Sequence, residues 1–82
     1  MEVILSPKVK KYCTGLGEPT KSRIKEALLK LELTPPQGDI KAMSVKDRYR
    51  LRVGKYRILL KYMDNDIYVE TIDLRGQVYK KR

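Results

Sequence analysis

The sequence predicts one α+β domain over residues 1–82, of order β-α-α-β-β-β, in which a two-helix hairpin packs on a small antiparallel sheet and leaves the sheet's other face open and basic. Three patterns carry that expectation. Apolar residues recur twice at helical spacing before Pro35-Pro36, they alternate at strand spacing after residue 48, and in that second region the arginines gather on one parity.

Glu2 to Leu5 is short and β-prone. Ser6-Pro7 then offers an N-cap and a first-turn proline. Val9, Tyr12, Cys13 and Leu16 follow at i, i+3, i+4 and i+7, an amphipathic stripe beside Lys8, Lys10 and Lys11. Gly15, Gly17 and Pro19 break that helix and permit a reversal. A second helix starts near Pro19-Thr20, repeats the spacing at Ile24, Ala27, Leu28 and Leu31, and stops at Pro35-Pro36. After the Pro-Pro-Gln-Gly connection come three strands, roughly Arg48 to Val53, Tyr56 to Tyr62 and Ile67 to Leu74. Gly54-Lys55 suits a two-residue type II′ turn, which sets Val53 opposite Tyr56 and Arg52 opposite Arg57. With Asn65-Asp66 as the second turn, Lys61 falls opposite Glu70 and Tyr62 opposite Val69.

Composition bounds the chemistry. Eighty-two residues make one small core with a few kcal/mol of net stability, so a binding partner is expected. Nineteen Lys and Arg against ten Asp and Glu give a net charge of +9, which points to a phosphate-rich ligand or an acidic protein. The surplus lies between Lys41 and Lys61, where Lys41, Lys46, Arg48, Arg50, Arg52, Lys55, Arg57 and Lys61 face only Asp47. There is no histidine, which excludes Ser-His-Asp and Cys-His devices and removes the commonest metal ligand. Cys13 is the single cysteine, set on an apolar stripe as a small hydrophobe. Gly15-Leu16-Gly17 lacks the rest of a dinucleotide loop, and no Walker-type sequence occurs. No metal and no cofactor are expected. The apolar start is too short and too quickly followed by lysines for a signal peptide, and no apolar run reaches membrane-spanning length, so the expected location is cytoplasmic, with no membrane partner.

Any catalysis must therefore use Arg, Lys and Tyr. A phosphodiester passing through a pentacovalent state accumulates charge that fixed guanidinium groups stabilise through bidentate hydrogen bonds. Arg50, Arg52 and Arg57 are candidates for holding one phosphate. The facing pair Arg52 and Arg57 repel, which makes sense if a polyanion comes between them. Arg75-Gly76-Gln77-Val78-Tyr79-Lys80 adds a basic tail in which Tyr79 suits base stacking or proton transfer. Lys41, Lys46, Arg48, Lys55 and Lys80 are candidate phosphate contacts, Lys41 and Lys46 lying in the loop before the hairpin. Each has a plainer reading: arginines on an open strand face are often only solvated, Tyr79 is as readily an edge aromatic, and basic tails are commonly unstructured. Tyr56, Ile58, Leu60 and Tyr62 share one parity and read as core; Leu59 sits among the bases as a groove floor or partner contact.

The hairpin Tyr49-Arg-Leu-Arg-Val-Gly-Lys-Tyr-Arg-Ile-Leu-Leu and the ending Leu74-Arg-Gly-Gln-Val-Tyr-Lys resemble the signature segments of RelE-type toxins of the RelE/ParE toxin-antitoxin superfamily, most of all archaeal members. The resemblance implies a ribosome-dependent endoribonuclease that cuts mRNA in the ribosomal A site, by attack of a ribose 2′-oxygen on the adjacent phosphorus. It implies a RelB-like antitoxin as partner, in a toxin-antitoxin hetero-oligomer. By position it makes Arg50 and Arg52 the paired strand bases, Arg57 the phosphate-binding arginine, Arg75 the C-terminal catalytic arginine and Tyr79 the aromatic that stacks on the substrate base. Arg50 and Arg52 stand where better-known bacterial relatives carry lysines, and arginine holds its proton too tightly to be a good general base. Proton removal then rests on Tyr79, a lysine, water or the ribosome. Two other readings keep the same residues: a ParE-like gyrase inhibitor of the same fold, and an RNA-binding module without cleavage.

Overall fold

The computed structural model describes residues 2–74, which form β1 (Val3–Leu5), α1 (Pro7–Thr14), α2 (Thr20–Lys30), β2 (Asp39–Ala42), β3 (Arg48–Val53), β4 (Tyr56–Met63) and β5 (Asp66–Leu74). The expected α+β class is the one found. Ser6 starts α1 as its position suggests, its Oγ accepting from the Val9 amide at 3.1 Å with Pro7 in the first turn. The same hydroxyl donates to the Glu70 carbonyl at 3.0 Å, which ties the start of the helix to β5. The α2 start has no capping side chain at Pro19; instead the Glu18 carboxylate accepts from both the amide and the hydroxyl of Ser22, a negative group placed where a helix start favours one.

The strands form one sheet of order β1-β5-β4-β3-β2. Two of its features go beyond the sequence expectation. β1 pairs with β5 in parallel, Val3 beside Ile67 and Leu5 beside Val69, so the sheet is mixed. β2 is an added edge strand: Asp39, Ile40, Lys41 and Ala42 pair with Arg52, Leu51, Arg50 and Tyr49. Four residues are too few to show alternation, which is why the segment reads as loop, and Lys41 is therefore a strand residue. Gly38 leads into β2 with φ of 137°, and a Cβ there would meet Leu51 Cδ1 at 2.9 Å, so this entry point requires glycine.

The β3–β4 turn is as expected. Gly54 takes φ of 58° while Lys55 keeps a negative φ, the sign pattern of a type II′ turn, and Arg52 pairs with Arg57. The β4–β5 turn corrects the expected register. Asp64 and Asn65 both take positive φ, 52° and 69°, so they and not Asn65-Asp66 are the central pair of a type I′-like turn. Lys61 consequently lies opposite Tyr68 and Tyr62 opposite Ile67, and an irregularity at Leu59/Leu60 leaves Glu70 as the extra residue of a bulge.

One face of the sheet is covered, α1 lying over β1 and β5 and α2 over β3. Val9, Ile24, Leu28 and Leu31 from the helical segment meet Leu51, Ile58, Leu60, Ile67, Val69 and Ile72 from the strands, all buried. Tyr49, Tyr56 and Tyr62 pack at the margin of this core, as their parity predicts. Leu16 lies beyond the end of α1 yet still packs there, because Gly15 turns the chain without a left-handed residue. Among the described residues no helix is long and apolar enough to cross a membrane.

Candidate functional site

Strand pairing sorts the uncovered face into cross-strand rows, since every second residue of each strand belongs to it. The row nearest the β3–β4 turn reads Asp39, Arg52, Arg57, Asp73 across β2, β3, β4 and β5. The next reads Lys41, Arg50, Leu59, Thr71. The third reads Arg48, Lys61, Tyr68, Ile4 across β3, β4, β5 and β1. Successive rows are two residues apart, about 6.6–6.8 Å along a strand, and directly opposed Cβ atoms lie about 5 Å apart.

Arg52 and Arg57 are thus immediate neighbours, with Arg50 next along β3 and diagonal to Arg57. These three of the expected residues come together, within the reach of side chains that could close on one anion. Lys41 stands beside Arg50 on β2. Lys55 is exposed at the tip of the turn, two residues before Arg57. Arg48 is two rows from Arg52, about 13 Å along the strand. Its Nη1 is 2.9 Å from Glu70 Oε1, so it is an ion-paired residue of the far end. Lys46 lies beyond it in the β2–β3 loop, exposed and remote from Arg57. Arg75, Tyr79 and Lys80 lie outside the described residues; the last described residue, Leu74, pairs with Tyr56 at the turn end of the sheet.

The charge pattern corrects one of the sequence expectations. Arg52 and Arg57 do face each other, but the first row runs minus, plus, plus, minus, with Asp39 and Asp73 on the flanks. Asp39 Oδ2 is 3.9 Å from Arg52 Nε, with both side chains substantially exposed, so this pair contributes at most about 1 kcal/mol. The sequence sets Asp39 and Asp73 far from the hairpin, and only the pairing of β2 and β5 brings them beside it. The repulsion is offset within the fold, and a polyanion is not needed to explain it. What remains distinctive is Arg57 itself, 7% exposed and the buried charged residue among the described ones. A guanidinium taken largely out of water interacts more strongly with an anion that reaches it than a solvated one does.

Two further residues belong to this face, Leu59 as one of its two sequence readings has it and Tyr68 without having been singled out. Leu59 takes the middle of the second row as an apolar floor between Arg50 and Thr71. Tyr68 has the parity of this face in either register, and the turn one residue earlier than expected sets it beside Lys61 in place of Met63. The signal for it was its parity, opposite to that of buried Ile67 and Val69.

On the covered face, Tyr12 meets Tyr56 edge-on at 6.4 Å. Burial raises the Tyr12 phenol above its ordinary value, and the Asp73 carboxylate adds to the shift. Burial likewise pushes the Cys13 thiol up, more than Lys21 draws it down. That is the setting of an inert packing group and the opposite of an activated thiolate. Among the described residues no cluster of His, Cys, Asp or Glu is arranged to hold a metal ion.

No protein-family model matches the sequence, and no curated protein does. Solved structures do. A chain of the RelB-RelE antitoxin-toxin complex from Methanococcus jannaschii superposes with a TM-score of 0.78 at 21% identity, over 94% of this chain and 95% of that one. The isolated E. coli RelE toxin gives 0.74 at 19% identity, covering 96% and 90%. A chain of the archaeal RelE-RelB complex from Pyrococcus horikoshii gives 0.69 at 25% identity, covering 93% and 96%. This chain has the RelE-type fold over essentially its whole length.

Proposed function

We propose that this chain is a RelE-type toxin of a toxin-antitoxin module, a metal-independent endoribonuclease that cuts mRNA in the A site of the ribosome and is held inactive by a RelB-like antitoxin in a hetero-oligomer. The observation that carries the reading is the Arg50, Arg52 and Arg57 cluster on the uncovered face of a RelE-type sheet, at the positions where the sequence resembles that family's signature hairpin. The RelE structures it is similar to include complexes with RelB, which supports an antitoxin partner here.

In this reading Arg52 and Arg57 donate from adjacent strands to the non-bridging oxygens of one phosphodiester. The bond from the 2′-oxygen to phosphorus forms, the bond from phosphorus to the 5′-oxygen breaks, the 2′-hydroxyl loses its proton and the 5′-oxygen gains one. The products are a 2′,3′-cyclic phosphate and a 5′-hydroxyl. Charge grows on the phosphoryl oxygens in the transition state, so rigid cations already aimed there lower the barrier without reorganising. Arg57 is best placed for this, being enclosed. Proton removal falls to Tyr79, a lysine, water or the ribosome, because the chain has no histidine and arginine keeps its proton. By the same resemblance Arg75 is the C-terminal catalytic arginine and Tyr79 the aromatic that stacks on the substrate base.

The test is primer extension on mRNA in programmed ribosomes incubated with the purified chain. Cleavage within the A-site codon is expected, with loss of about 10²–10³ in rate for Arg57→Ala, the usual scale for removing one transition-state donor. Intact mRNA, with growth inhibition unchanged in Arg57→Ala and relaxed supercoiling in a gyrase assay, would instead place the chain with the gyrase inhibitors.

A further inference from the structure

A cavity of about 350 Å³ opens on the covered side of the sheet, between the start of α2 and the β3–β4 turn. Its lining includes Thr20, Arg23 and Ile24 from α2, Lys55 from the turn, Tyr56 from β4 and Leu74 from β5. Among the described residues the lining holds two cations, Arg23 and Lys55, and no carboxylate. Among the described residues neither Arg23 nor Lys55 enters an ion pair, in contrast to Arg48 and Arg52 on the other face. Acids stand close by but outside this lining: Glu26 and Asp39 share a neighbouring cleft with Arg23, and the Asp73 carboxylate acts on Tyr12, which packs against Tyr56. Ile24, Val53, Tyr56 and Leu74 supply the apolar part of a mixed wall, and the volume is that of a small-ligand site.

The place of this cavity follows from strand alternation. Val53 and Tyr56 line it, and their chain neighbours Arg52 and Arg57 point to the opposite face. Lys55, at the tip, stands between the two. An RNA strand whose phosphate sits on Arg52 and Arg57 meets the cavity by passing round Gly54-Lys55. We propose that the cavity is a second nucleotide subsite, taking a neighbouring phosphate of the bound RNA between Arg23 and Lys55 and laying the attached nucleoside against Ile24, Tyr56 and Leu74. This inference rests on the RNA-cleaving reading and extends its substrate contact beyond the reacting phosphate.

The experiment measures binding of the full chain to a short single-stranded 2′-O-methyl oligonucleotide, which resists 2′-oxygen attack, over a range of salt. Arg23→Gln with Lys55→Gln should weaken binding at low salt and lower the slope of log K against log salt by about 0.7, the change for one phosphate no longer neutralised on a single strand. Lys10→Gln with Lys11→Gln removes the same charge from α1 and should lower the slope by less than half as much. Both pairs are exposed, so thermal melts should stay at the wild-type value. A nucleoside monophosphate titrated into methyl-labelled protein should shift Ile24, Val53 and Leu74 before Val69. Equal slopes for the two double variants, or methyl shifts spread without preference, overturn the subsite. If Arg52→Gln with Arg57→Gln also binds like wild type, the RNA-cleaving reading itself fails; if that pair alone loses binding, only the subsite does.

Discussion

The two faces of this sheet are made by the same strands and obey opposite rules. On β3 and β4 the residues Leu51, Ile58 and Leu60 are within 1% of complete burial, while their chain neighbours Arg50, Arg52, Leu59 and Lys61 are only half-buried on the other side. One parity is held by packing, where shape and volume decide the free energy. The other is held by a charge pattern assembled from four strands, where individual pairs contribute little to stability. Arg57 belongs to the second set by parity and to the first by burial, and that combination makes it the residue on which function should depend most. A chain this small concentrates its apolar packing on one side of the sheet and gathers charge on the other.

The strongest way to break the comparison is to truncate one residue of each parity. Leu51→Ala should cost about 2–5 kcal/mol, the usual range for emptying a buried leucine site, read as a lower midpoint in chemical denaturation. Its neighbour Arg52→Ala should shift that midpoint little and lower ribosome-dependent cleavage instead. If both variants lose stability equally, the division between faces is wrong.

Alkaline titration sharpens the covered side. Burial raises the values of Tyr12 and Cys13, so the fold favours their neutral forms. The resulting stability is fully present below the ordinary thiol value of 9.0 and is lost as pH rises through the raised values in the folded chain. Thermal melts should therefore decline above that pH, and Cys13→Ala with Tyr12→Phe should flatten the decline. A decline of unchanged steepness in the double variant would assign the loss to other groups.

The smallest effect belongs to the far end of the uncovered face. Arg48→Ala breaks the pair with Glu70, both partners being more than a quarter exposed, and should cost at most about 1 kcal/mol. RNA cleavage should fall far less than for Arg57→Ala. An equal loss of cleavage would extend the catalytic cluster to the third row and contradict its confinement to the turn end of the sheet.

Much of this architecture is written locally in the sequence. The cap at Ser6, the type II′ turn at Gly54-Lys55 and the parity of Tyr49 to Leu60 each depend on a few adjacent residues, and each appears as expected. What pairing alone creates was not legible. The β1–β5 parallel contact joins residues more than sixty apart, and β2 exists because β3 offers it an edge. The Asp64-Asn65 turn differs by one residue from its alternative, since Asp and Asn both tolerate positive φ, yet that residue moves Tyr68 next to Lys61 and Glu70 into a bulge. The candidate site was legible as Arg50, Arg52 and Arg57, and its acidic flanks were not, because Asp39 and Asp73 reach it only through the sheet.

The central claim is that Arg52 and Arg57 act on one phosphate. A double-mutant cycle on the single-turnover rate of A-site mRNA cleavage tests it, using Arg52→Ala, Arg57→Ala and the pair together. Shared action predicts that the double variant is little slower than the slower single one, a coupling of more than about 1 kcal/mol in the barrier. Losses that simply multiply, or no loss in either single variant, would contradict it.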